Sequence, residues 1–103
     1  MKLIYCKKCY DVVKLDYEVR SCKCGESRGK YLRDGYHALY AGECFPIGIA
    51  NQSLANATVL QPTRGAGARF EAFVIEKECT TFIKVGDECE ELRQKSTTGR
   101  QTT

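Results

Sequence analysis

The sequence predicts a small α+β protein, mainly β, in which an amino-terminal metal-held unit is joined to an antiparallel β-sheet with one short helix. Three observations predict it. Cysteines recur as Cys6-Lys7-Lys8-Cys9 and, beyond residues 10–21, as Cys22-Lys23-Cys24-Gly25. Short β-branched and aromatic runs bounded by turn signals fill most of the chain. A single alanine-containing stretch near the middle has the composition and flanks of a helix.

Two close cysteine pairs on facing turns place four thiolates, from Cys6, Cys9, Cys22 and Cys24, around one ion. Zn²⁺ is the expected ion, since it accepts four sulfurs tetrahedrally without redox chemistry, and such a closed site is structural. A thioredoxin-like redox pair at Cys6 and Cys9 would need a helix amino terminus, whereas strand follows strand here. With 103 residues and 43% apolar content the chain is one modest globular unit. Its first 35 residues are too few to fold on burial alone, so a metal there supplies folding free energy, and chelation is expected to unfold the front first. Met1 to Cys6 lacks the pattern of a secretory signal, and no run approaches the roughly 18 apolar residues of a membrane span. A cytoplasmic chain with reduced thiols and no membrane partner is therefore expected.

The formal charge is +3. Residues 1–35 hold nine Lys/Arg against five acids, a net of +4, and residues 36–103 net −1. A zinc ion with four thiolates is a unit of about −2, which lowers the front to about +2 and the chain to about +1. That is not the footprint of a dedicated nucleic-acid binder.

In order, Lys2 to Tyr5 is a strand entering the first cysteine turn. Asp11 to Leu15 and Glu18 to Ser21 read as two arms of a hairpin turning near Asp16-Tyr17. Gly25 suits a position needing positive φ after the second turn. Asp34-Gly35, between Lys30 to Arg33 and Tyr36 to Ala41, is the clearest hairpin signal and predicts a two-residue turn with both residues at positive φ. Cys44 to Ile49 reads as an edge or bulged strand because of Pro46 and Gly48. Residues 51–60 form the helix, capped by Asn51 or Ser53 and docked on the sheet. Arg69 to Glu76 is the expected central strand, with Thr80 to Val85 its antiparallel neighbour. Residues 86–103 read as a flexible tail, with Glu91 and Lys95 at one-turn helical spacing. The organisation expected is a ribbon over 1–33, a β-rich core over 34–85 and that tail.

The remaining candidates are weaker. Cys44 and Cys79 read as small apolar core residues, and Cys89, among acids, as a poor nucleophile. His37, beside the surface tyrosines Tyr31, Tyr36 and Tyr40, has no sequence partner for general-base work. Arg64-Gly65-Ala66-Gly67-Ala68-Arg69 could hold an anion but leads into a strand, unlike a Walker loop or a dinucleotide turn. Lys7, Lys8, Lys23, Arg28 and Lys30, interleaved with tyrosines, suit phosphate contact with base stacking, and equally a solvated face.

The knuckles at the ends of short strands make residues 1 to about 33 resemble a zinc ribbon, or zinc finger, of the rubredoxin-like kind, with the second knuckle one residue short. The whole chain resembles small zinc-ribbon proteins of bacteria and their phages in those cysteines, in Tyr31 to Gly35, in Pro46 to Asn51 and in Phe70 to Ile75. The resemblance implies one structural zinc and carries over no catalytic residue. The expected function is a zinc-stabilised adaptor that binds a protein through the hairpin and through Arg64, Gly65, Gly67 and Arg69. A nucleic-acid-binding ribbon is the alternative, and a nucleotide or small-anion binder using residues 61–69 is the third reading. No catalytic constellation stands out, so the chain leans away from an enzyme.

Overall fold

The computed structural model describes residues 1–86 and 89–92. The chain runs through β1 (Lys2–Cys6), β2 (Val12–Lys14), β3 (Arg20–Ser21), β4 (Arg28–Tyr31), β5 (Ala38–Ala41), β6 (Cys44–Ile49), α1 (Asn51–Val59), β7 (Ala72–Val74) and β8 (Phe82–Lys84), then a 3-10 turn at Glu90–Leu92. This is the small, mainly β class with one short helix that the sequence predicts. The strands form two four-stranded sheets, ordered β2-β1-β6-β7 and β3-β4-β5-β8. Every pairing is antiparallel except β5 with β8, which is parallel. Pairing crosses residue 33, joining β1 to β6 and β4 to β5.

Several expected pairings are replaced. β2 and β3 are not arms of one hairpin: β2 pairs with β1, and β3 pairs with β4 in the other sheet. The apolar alternation explains the choice, because Val13 and Leu15 are buried while Arg20 is exposed, so the chain leaves one sheet after Leu15 and enters the other. The Asp16 carbonyl takes the Tyr31 N–H at 2.8 Å on that crossing. β6 is an inner strand despite Pro46. The Pro46 carbonyl accepts the Ile75 N–H at 2.9 Å, so its missing N–H would also face the β7 side, beyond the end of β7 at Val74.

β7 is an edge strand of three exposed residues, not the centre of the sheet. Phe73 lies over Gly48, where an added Cβ would stand 2.7 Å from the ring, so the missing side chain leaves room for the ring to lie across β6. β8 pairs with β5 rather than with β7. The loop between β4 and β5 is longer than a two-residue turn. Gly35 has φ +69, but Asp34 does not join it at positive φ; its carboxylate accepts the backbone N–H groups of Tyr36 and His37, both at 2.9 Å.

The cap of helix α1 lies one residue before Asn51 and three before Ser53, the two expected caps. Ala50 is the cap residue without a side-chain bond, Asn51 Oδ1 accepts from the Met1 amine, and Ser53 Oγ accepts the Glu71 N–H. Only Ala57 is buried, so docking holds the helix along a narrow stripe.

One apolar cluster draws on both sheets, with Ile4, Val13 and Cys44 from one and Ala38, Tyr40 and Phe82 from the other. Tyr40 stacks edge-on against Phe82 with ring centroids 5.0 Å apart. A second cluster joins Leu39 and Ala41 to Leu92, which is wholly buried although it falls in the segment expected as a tail. The Glu91–Lys95 turn and the disorder expected for 96–103 concern residues that extend outside those described. Truncating Phe82 to alanine is expected to cost about 3–5 kcal/mol of unfolding free energy, against under about 0.5 kcal/mol for Val74→Ala on the exposed edge. Urea unfolding of the two variants checks this.

Candidate metal centre

Each cysteine pair sits where a strand ends. Cys6 closes β1 and leads through a turn to Cys9, while Cys22 follows β3 and reaches Cys24 in one residue fewer. The two turns close alike: the Tyr10 N–H returns to the Cys6 carbonyl at 3.0 Å and the Gly25 N–H to the Cys22 carbonyl at 3.1 Å. Both closing residues have positive φ, 62° at Tyr10 and 81° at Gly25. The glycine was legible in sequence; Tyr10 was not, because a tyrosine in that conformation is strained and only the knuckle demands it. Asp11 binds the knuckles together, its carboxylate taking the Lys23 N–H at 3.0 Å and its carbonyl the Cys6 N–H at 2.9 Å. Nothing in the residue spacing singled out Asp11.

The four sulfurs of Cys6, Cys9, Cys22 and Cys24 all lie within 4.8 Å of one another. Four sulfurs about 2.3 Å from a central zinc would be separated by roughly 3.8 Å. Cys6 and Cys24 are 3.7 Å apart and Cys22 and Cys24 3.5 Å apart. The cluster therefore fits one tetrahedral ion, and the all-sulfur donor set suits zinc. Backbone amides already point at the sulfurs, Lys8 N–H to Cys6 and Ser27 N–H to Cys22, each at 3.4 Å. With all four positions filled by protein, such a site holds structure and leaves no open position for substrate.

The thiols do not share one proton affinity. Cys6 is drawn down to about 6, first by the Ser27 hydroxyl and then by the amide of Cys9. Cys22 is also lowered: burial raises it, but the Ser27 amide and the Cys24 thiol outweigh that. Cys24 receives the Glu26 N–H, which lowers it, yet burial and the surrounding thiols push it up to about 12. Four adjacent thiolates repel one another, and a divalent cation is what lets all four ionise.

The other candidates are dispersed. Residues 61–70 are exposed, including Arg64, Gly65, Gly67 and Arg69, with Gly65 at φ +89. Tyr36 is exposed, but Tyr40 is buried at 5% and cannot meet a partner. Tyr31 is half-buried, and its hydroxyl accepts the Lys2 N–H at 3.0 Å, tying β4 to β1. Lys7, Lys8 and Lys23 are exposed around the cluster, and Lys7 pairs with Glu43 at 3.8 Å. Arg28 and Lys30 turn to the 3-10 turn, bonding the Leu92 carbonyl at 3.1 Å and Glu91 at 3.5 Å. His37 has a carboxylate partner after all, Asp34 three residues earlier. Amides of Tyr36 and His37, then the imidazole, hold Asp34 down to about 2. Cys44 is buried, as expected for a core thiol, whereas Cys79 is half-buried and bonds Thr81 Oγ1 at 3.2 Å.

No family model, curated protein or solved structure matches the chain. Among the described residues no helix is long and apolar enough to cross a membrane.

Two predictions follow from these proton affinities. Zinc must displace at least the Cys24 proton throughout the neutral range, so the dissociation constant should fall at least about tenfold per pH unit between pH 7 and 9; chelator competition at several pH values measures this slope. Asp34 is lowered in the folded chain, so its contribution to stability is complete above the ordinary value of 3.8 and lost as pH falls toward about 2. The stability difference between the protein and Asp34→Ala should therefore shrink over that interval in acid unfolding.

Proposed function

We propose that the chain is a zinc-stabilised binding module that engages a protein partner and does not itself catalyse a reaction. The observation that carries this reading is β7, an apolar strand left at a sheet edge with Phe73 and Val74 exposed by 54% and 65%, and with Phe70 just before it exposed by 44%. Glu71 and Ile75 bond toward β6, so by alternation the backbone groups of Ala72 and Val74 face away from the sheet. An extended partner segment can add a strand there, with main-chain bonds for affinity and apolar contacts for specificity. The exposed loop with Arg64 and Arg69 leads directly into this edge and supplies charge beside it. The zinc site's part is to hold the two sheets in place.

Nucleic-acid binding is the second reading, favoured by exposed Lys7, Lys8 and Lys23 around the cluster. It is weakened because Arg28 and Lys30 are already bonded to the segment at 91–92.

Native mass spectrometry of the protein isolated from its own host under reducing conditions tests both. The expected result is one zinc per chain and a bound protein that Phe73→Asp with Val74→Asp removes while zinc is retained. A nucleic-acid companion whose affinity falls steeply with salt would instead establish the second reading. A companion indifferent to the edge substitutions would overturn β7 as the docking edge.

A further inference from the structure

Beside the four cysteines lies a hydroxyl whose partner is missing. Ser27 is wholly buried, and its Oγ, although near enough to Cys6 to lower that thiol, completes no hydrogen bond of regular geometry among the described residues. Buried hydroxyls are ordinarily satisfied, so an orphan of this kind marks a group waiting for a partner.

The surroundings restrict what that partner can be. The Ser27 amide is already given to Cys22 Sγ at 3.4 Å, and its carbonyl takes the Cys22 N–H at 3.0 Å. On the far side the bend between β5 and β6 presses against its backbone: a Cβ at Gly42, where φ is +104, would stand 2.8 Å from the Ser27 Cα. The Ser27 side chain acts to lower the proton affinity of two neighbouring thiols, Cys6 and Cys44. These two cysteines are directly opposite in the β1–β6 pairing, which puts both side chains on one face of the sheet. Cys44 Sγ donates to the Ala41 carbonyl at 3.7 Å and is therefore a neutral thiol, a weak acceptor. Cys6 belongs to the cluster and becomes a thiolate when a metal is held, and a charged sulfur is much the better acceptor.

We propose that Ser27 is the positioning residue of the metal centre: its buried hydroxyl donates to the Cys6 sulfur of the loaded site, fixing that ligand from outside the coordination shell. The inference rests on the reading of the four cysteines as a metal site and deepens it. Groups of this kind typically change metal affinity by 10–100-fold when removed. Ser27 also differs from the backbone donors at Lys8 and at its own amide, because a side chain can be deleted without moving the knuckle.

The test uses the full chain with zinc and with cobalt as a spectroscopic stand-in. Ser27→Ala should weaken zinc at least about tenfold in chelator competition and shift the sulfur-to-cobalt charge-transfer band, since an unbonded thiolate is more electron-rich. Ser27→Thr keeps the hydroxyl and should restore both. Ser27→Ala deletes an unpaired buried hydroxyl, so the metal-free chain should lose no stability. Ser27→Ala with unchanged zinc affinity and cobalt spectrum would overturn the role of Ser27 while leaving the metal site standing. Failure of the unaltered chain to bind either ion would overturn the metal reading itself, and the Ser27 inference with it.

Discussion

Four sulfurs within 4.8 Å of one another are the constraint on which the rest of this structure depends. Thiolates at that separation cannot coexist without a cation, and thiols there leave the chain ends of four short elements tied only by weak contacts. The ligands come from both sheets. Cys6 ends β1 and Cys22 follows β3, and those strands belong to different sheets. An ion at this point therefore closes the joint between the layers, where the shared core is thin and the strands run to only two to six residues.

The bonds around the cluster extend that joint. Asp11 links one knuckle to the other, the Glu43 carbonyl takes the Lys7 N–H at 2.8 Å, and the Gly42 bend rests on Glu26 and Ser27. Through these contacts the β5–β6 bend, which carries no ligand, is registered against the site. Tyr31 repeats the arrangement at the opposite end of β1, where its hydroxyl meets the Lys2 amide. The two sheets are thus pinned at both ends of one strand, by sulfur at Cys6 and by a hydroxyl at Lys2.

The sequence carried the ligands clearly because metal spacing is local: two knuckles can be read from residues a few places apart. The helix and the β4–β5 hairpin were legible for the same reason. What could not be read was partner choice between strands. The apolar run 70–76 has the composition of a central strand, yet Gly48 receives Phe73 at the sheet edge, and β5 takes β8 instead. Asp11, Tyr10 and Ser27 escaped because their roles arise only when distant turns meet. Asp34-Gly35 marks the right hairpin but not its turn, since the Asp34 side chain, rather than its φ, shapes the loop.

A metal ion held by the four cysteines would couple the two sheets. Amide hydrogen exchange of the zinc-loaded and chelated full chain tests it most directly. Removal of the ion should lower protection in β1 and β6 of one sheet together with β4 and β5 of the other, as a single cooperative loss. Unchanged protection across both sheets after complete metal removal would contradict it.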